Sequence, residues 1–485
     1  MLSAFLLTFA DKMKIRYLQR LLNIRLAAFL MVCCLWHAGC EAQRKEWPGA
    51  KSYIYRYTLR DKQLTRYTLD NPQQYLSQRA IERRRRQQLA VDSTDLPVCE
   101  QYIALFRGKN VSTIGTSRWN NTVLVEVKDT ATAQQLAQLS CVASCRRVWT
   151  SPDSIEQKKV HTKVQTRFNR WDTVATNRYA AASEQIRLAG GMALHTEGYT
   201  GRGLHIAVLD GGFQNVHIIP AFRSCHILGS RDFVFPNSSS IFHETDHGTK
   251  VLSAMAVNAP YVYIGTAPDA SYWLLRCEDQ HTEQLIEEDY WAMAAEFADS
   301  AGVDIINSSL GYNTFDHHAD NHRYCEMDGR TALISRSASM LAQKGIVLVT
   351  SAGNSGMGPW KKITFPGDAN DVLTVGAITI DRHNAPFCGV GPTQDGRIKP
   401  DVMALGSPAG LISGRGTIVQ DMGTSFSCPV VCGLVACLWQ AHPEKTALDI
   451  IEMVRQSSDR HQNPDNVYGY GIPDFSTLLP HPSQL

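Results

Sequence analysis

The sequence predicts an α/β protein, with a doubly wound, mostly parallel sheet over residues 183–480 behind a small α+β domain at 47–150. Three observations carry this. Apolar runs at 204–209, 303–306, 346–349 and 372–375 have the length and composition of strands buried on both faces. Helical stretches separate them at 248–257, 285–298 and 330–343, the alternation that builds a parallel sheet. Before residue 150 the strands are half-buried in pattern, as 52–60 (SYIYRYTLR) shows by its period of two.

The 485 residues carry 48 Lys+Arg against 46 Asp+Glu, and 44% are hydrophobic. A net charge of +2 is no field for nucleic acid or an anionic membrane, so neither is expected as a partner. Thirteen cysteines are too few for a disulfide scaffold. Cys33, Cys34 and Cys40 fall in the leader, and the remaining spacings are irregular. Cys141 and Cys145 are free to pair or not; Cys428 and Cys432 read as small packing residues.

In order along the chain, residues 1–42 read as a signal peptide. Lys14, Arg16, Arg20 and Arg25 precede an apolar stretch at 26–36 that is too short to span a bilayer. Cleavage after Ala42 would release the protein. Ala38-Gly39-Cys40 instead resembles the end of a bacterial lipobox, and a lipid on Cys40 would tether it to a membrane. Export is expected either way, to the medium or the cell surface. No later stretch reads as long and apolar enough to span.

A strand at 52–60 is followed by a helix opening at Asn71-Pro72. Its run Arg83-Arg84-Arg85-Arg86 reads as a solvated helix face. A helix at 102–106, a strand at 121–128, a helix at 132–139 and a strand at 142–149 complete the small domain. Residues 151–182 are polar and aperiodic, an exposed linker.

The strand at 204–209 delivers Asp210 to its carboxyl end, where Gly211-Gly212 lets the chain turn. His247 stands at the mouth of the next helix. Val349-Thr350-Ser351-Ala352-Gly353-Asn354 runs a strand into a glycine loop, and the Asn354 amide can donate to developing negative charge. Gly423-Thr424-Ser425-Phe426-Ser427-Cys428-Pro429 opens an apolar helix. There the free N–H groups and the dipole favour an oxyanion at Ser425, and Pro429 is expected in an early helical turn.

In the order Asp210, His247, Asn354, Ser425, these segments resemble the subtilisin-like serine peptidases. Gly198-Tyr199-Thr200-Gly201, Asn307-Ser308-Ser309-Leu310-Gly311, Lys399-Pro400-Asp401 and Gly469-Tyr470-Gly471 match as well, so the resemblance spans 183–480. It implies a subtilisin-like fold, an Asp210–His247–Ser425 triad and an oxyanion amide at Asn354. Substrate would bind along Ser308, Ser309, Leu310 and Gly311 and along Ser351, Ala352 and Gly353. It further implies protein or peptide substrates, and a propeptide at 47–150 released by self-processing within the linker. No cofactor enters the chemistry; structural calcium is possible in such a family. Gly211 departs from the usual Thr or Ser, and Phe426, Ser427 and Val430 replace the common Met, Ala and His. With His247 as general base, activity is expected to rise through an apparent pKa of about 6–7.

Two other readings remain. The fold can serve a catalytically silent binding protein. His243-Glu244-Thr245-Asp246-His247 also matches the H-E-x-x-H zinc-peptidase motif, although Thr245, Asp246 and Gly248 are poor material for its helix.

Overall fold

The computed structural model describes residues 44–46, 51–156, 164, 175–238 and 240–480. The leader at 1–42, including Cys40, and most of the expected processing stretch lie outside them. The chain forms two compact units, 1–48 with 152–159, and 49–151 with 160–485. In the first, 44–46 pairs antiparallel with 154–156.

The N-terminal part of the second unit is an antiparallel sheet of β1 (Tyr53–Leu59), β2 (Val111–Ser117), β3 (Thr122–Val127) and β4 (Val142–Thr150), in the order β2-β3-β1-β4. Helices α1 (Gln78–Arg86), α2 (Glu100–Ile103) and α3 (Thr130–Ala137) accompany it. Ser77 and Asp129 cap α1 and α3 by accepting from the backbone N–H three residues on.

The larger part is a seven-stranded parallel sheet: β5 (His205–Asp210), β6 (His226–Asp232), β7 (Ser271–Arg276), β8 (Ile305–Ser308), β9 (Val347–Ser351), β10 (Leu373–Thr379) and β11 (Val402–Ser407), in the order β11-β10-β9-β8-β5-β7-β6. Helices α4 (Ser183–Leu188) and α5 (Gly191–Thr196) lead into the sheet, and alternation along each strand feeds two cores. Ile206 and Val208 of β5, with Val347 and Val349 of β9, pack on α6 (His247–Ala256) and α9 (Thr424–Ala441). Ala207, Leu209 and Leu348 face α7 (Ile286–Ala301) and α8 (Leu333–Ser339). The same second core takes in Ile54, Trp119, Leu124 and Val148, so the N-terminal domain shares it.

Three expectations are corrected. Arg83 and Arg84 are not solvated: each is 1% exposed, and both pair with Asp299 of α7. The linker does not run exposed to 182, because Tyr179 and Ala182 already pack in the first core. And α9 is, by length and composition, long and apolar enough to cross a membrane; it is the central core helix, 89% buried.

Ten cysteines fall among the described residues, and all are free thiols. Cys428 and Cys432 are buried on α9 as packing residues, and burial pushes both thiols well up.

Candidate active site

The register of the sheet sets the site. Leu209 lies opposite Ser308, and Ser308 opposite Thr350, so the residues that follow emerge abreast at the carboxyl edge. In a parallel sheet this edge is where groups from several strands can converge.

Asp210 ends β5 and is fully buried; its Oδ1 accepts from the Gly211 N–H at 2.8 Å. A Cβ at Gly211 would meet only the flexible ends of Glu278 and Gln280. His247, the first residue of α6, lies with Nδ1 at 3.0 and 2.9 Å from the two Asp210 oxygens. The buried carboxylate must accept, so Nδ1 carries the hydrogen and Nε2 is left for the cleft.

Burial pulls the imidazole pKa down, and the Asp210 charge and hydrogen bond push it up harder, so it is raised to about 9. Its side chain remains 31% exposed, and solvent screens part of that pull. The upward direction displaces the half-point of about 6–7 expected from the sequence.

Ser425 is the second residue of α9. Its hydroxyl donates to the Ser309 carbonyl at 3.1 Å, and the Ser309 hydroxyl donates back to the Ser425 carbonyl at 2.9 Å. Pro429 makes this exchange possible, since it has no N–H to offer the carbonyl four residues earlier. Asn354 is held by its oxygen, which accepts from the Thr424 N–H at 3.0 Å and hydroxyl at 2.9 Å. That leaves its NH2 as the donor facing the cleft. Thr424 was not singled out in the sequence, yet it also accepts from the Gly353 N–H at 3.1 Å.

His247, Ser309, Leu310, Gly311, Ser351, Gly353, Asn354 and Ser425 line one cleft of about 570 Å³, with Asp210 buried behind His247. Ser308 and Ala352 do not line it. Both are fully buried by strand alternation, and the Ser308 hydroxyl accepts from the Trp291 indole at 2.9 Å. Lys250, Glu278, Gln280, Asn313 and Thr364 line it without having been expected, because no motif marks them.

The zinc reading fails on geometry. Helix α6 starts at His247, so His243 precedes it in an irregular loop and the two histidines do not share a helical face. Glu244 lies 3.6 Å from Arg276.

Comparison with known proteins agrees with this picture. The subtilase family matches residues 201–471, and the Peptidase S8 propeptide domain of Bacteroidota matches 55–166. Subtilisin NAT of Bacillus subtilis subsp. natto is 28% identical over 283 residues, 58% of this chain and 66% of the relative. Subtilisin of Bacillus pumilus is 27% identical over 283 residues, 58% of this chain and 92% of the relative. Serine protease AprX of Bacillus subtilis (strain 168) is 27% identical over 313 residues, 58% of this chain and 67% of the relative. The chain thus spans just under two thirds of the length of the first of these. With more than half its residues in the family match, and a sheet that brings the matching segments to one edge, the chain belongs to the subtilase family.

Proposed function

We propose that the protein is an exported serine endopeptidase, made as a zymogen and cut free of its N-terminal domain by its own active site. The observation that carries the reading is the buried Asp210 carboxylate holding His247 on the same cleft as Ser425 and the Asn354 amide.

The Ser425 hydroxyl turns from the Ser309 carbonyl to His247 Nε2 and attacks the scissile carbonyl as the imidazole takes its proton. Asp210 stabilises the imidazolium and fixes its orientation. Asn354 and the Ser425 N–H, at the amino end of α9, donate to the oxyanion. The imidazolium then returns the proton to the leaving amine, and water repeats the sequence on the acyl-enzyme. No metal or cofactor is needed for these steps. Substrates are proteins or peptides, the N-terminal domain being the first.

Export is supported by the leader at 1–42. Its two possible ends, release after Ala42 or a lipid on Cys40, are told apart by metabolic labelling with palmitate.

The deciding experiment is a fluorophosphonate probe. Labelling that is lost in Ser425→Ala, together with retention of the N-terminal domain in that variant, supports the reading. No labelling of correctly trimmed protein would favour a silent binding protein. Trimming of purified Ser425→Ala at the wild-type rate, with no other peptidase present, would remove self-processing.

A further inference from the structure

Three charged side chains act on His247. Asp210, at the end of β5, holds its Nδ1. Lys250, one turn further along α6, pairs with Asp246 at 3.4 Å and with Asp421 at 3.0 Å. Glu278, in the loop after β7, lines the same cleft and belongs to no part of the triad. From α9 the ring of Phe426, which has no charge, packs on the imidazole with centroids 5.6 Å apart. Burial lowers the His247 pKa, Asp210 raises it and Glu278 raises it further, with Lys250 pulling the other way.

The register of the sheet brings Glu278 there. Arg276 lies opposite Asp210, and the Cys277 N–H donates to the Asp210 carbonyl at 3.0 Å, so Glu278 leaves β7 just past the triad carboxylate. The turn at Gly211 is fixed from two sides. Its N–H donates to Asp210 Oδ1 at 2.8 Å, and its carbonyl accepts at 3.0 Å from Nε of Arg276, which is buried and paired with Asp232. Gly211 has no side chain, and the space over it holds Glu278 Oε2 and Gln280 Nε2, each 2.5 Å from the place a Cβ would take. Gln280 donates to that carboxylate oxygen at 2.8 Å and so fixes its place over the turn. Behind Glu278 stand Glu283 and the fully buried Glu287. Burial first, and then neighbouring carboxylates with Glu278 among them, push Glu283 up to about 8 and Glu287 well up. Both keep their protons near neutrality, so neither repels a charge on Glu278.

We infer that Glu278 is a positioning residue for catalysis: a second anion, outside the triad, that acts on His247 across the cleft and with Asp210 stabilises its imidazolium. The inference rests on the serine-peptidase reading of the same cleft. The two anions differ in access. Asp210 is sealed from solvent while Glu278 lines the cleft, so salt screens the second and scarcely touches the first. The same charge that steadies the imidazolium during turnover keeps a share of the resting enzyme protonated and idle near neutral pH.

The test follows the rate at which a fluorophosphonate labels Ser425 in full-length chain allowed to mature, from about pH 5 to 10. That reaction needs neutral His247 but no substrate side chain, so a change in peptide binding does not enter it. Glu278→Gln keeps the shape and removes the charge. Its rising limb should lie about half a pH unit below that of wild type, which is up to about threefold faster labelling at a pH on the limb. The gap should shrink by about half or more between about 0.01 M and 1 M salt. If Glu278→Gln does not fold, Glu278→Ser should move the limb the same way. A limb that stays in place or moves to higher pH in the folded variant overturns the inference. So does a rate lowered equally at every pH, the mark of a side chain that only fills the space over Gly211. Labelled enzyme with an unmoved limb sinks the role of Glu278 alone. Wild type that is cut and folded yet takes no label sinks the peptidase reading and this inference with it.

Discussion

Asp210 and Asp299 are both fully buried aspartates, and they do opposite work. Asp210 faces one imidazole, a group that gains and loses its proton near neutrality and is open to the cleft. Asp299, on α7, faces three guanidinium groups, from Arg83 at 2.5 Å, Arg84 at 3.0 Å and Arg118 at 2.6 Å, all supplied by the N-terminal domain. Those partners keep their charge at any working pH. Burial raises the Asp299 pKa, but Arg84, Arg83 and Arg118 together lower it to about 2. The identity of the partner decides whether a buried carboxylate serves proton transfer or fastening.

Substitution should separate the two roles cleanly. Asp210→Asn is expected to cut kcat/KM by about 10⁴-fold, the scale measured when serine peptidases, subtilisin among them, lose the triad carboxylate. The unfolding midpoint should move little. Asp299→Leu should do the reverse, costing about 3–5 kcal/mol in denaturant unfolding of the uncut chain by stranding buried guanidinium groups. Equal stability losses in the two variants would break the contrast. Asn354→Leu is expected to lower kcat by about 10²–10³-fold, the range known for the corresponding donor in subtilisin, with KM nearly kept.

A smaller effect, and a sharper one, is the pH response. Asp299 has a folded pKa below its unfolded value, so its stabilisation is present above about pH 4. It is lost as pH falls toward about 2. For His247 the folded pKa is raised, to about 9, so its stabilisation is full below about pH 6.5 and fades as pH rises through the folded value. Activity runs the other way, because only neutral imidazole accepts the Ser425 proton. Peptidase rates should climb above pH 6.5 while unfolding midpoints fall over the same range, and on the acid side midpoints of the uncut chain should fall only where acid weakens the Asp299 cluster. A flat rate from pH 6 to 9 in folded enzyme would rule out His247 as the base.

The same contrast explains what could be read from the sequence. Asp210, His247, Asn354 and Ser425 each sit in a local signature of strand end, helix mouth or glycine loop, so neighbouring residues announce them. Arg83 and Arg84 have no such context: their acceptor lies more than 200 residues away, and a run of arginines on a helix resembles a solvated face. The strand at Val111–Ser117 was missed because Ser, Thr and Gly dominate it and little of its alternation is apolar. Ser308 and Ala352 were drawn into the site by neighbours one position away, where strand alternation reverses the facing direction. Glu278 is legible only once the register of β7 sets it beside the Asp210 turn.

At Asp299 itself the N-terminal part supplies three cations and the other side the anion, whereas Lys344 of the larger part pairs in the opposite sense with Asp92 and Asp95. In overall composition the two parts do differ in sign: residues 51–150 hold 16 lysines and arginines against 8 aspartates and glutamates, whereas residues 151–485 hold 25 against 35. The near-neutral whole chain therefore contains two oppositely charged bodies, +8 and −10, beside the +4 of residues 1–50. Severing the connection and parting them would yield fragments that migrate toward opposite electrodes at pH 7 and bind opposite ion-exchange resins. Their residual affinity should weaken as added salt screens the outer charges, while the sealed arginine contacts respond far less. A simple salt gradient on a cation exchanger would thus report whether the small basic fragment leaves by itself or only after it has been digested in place.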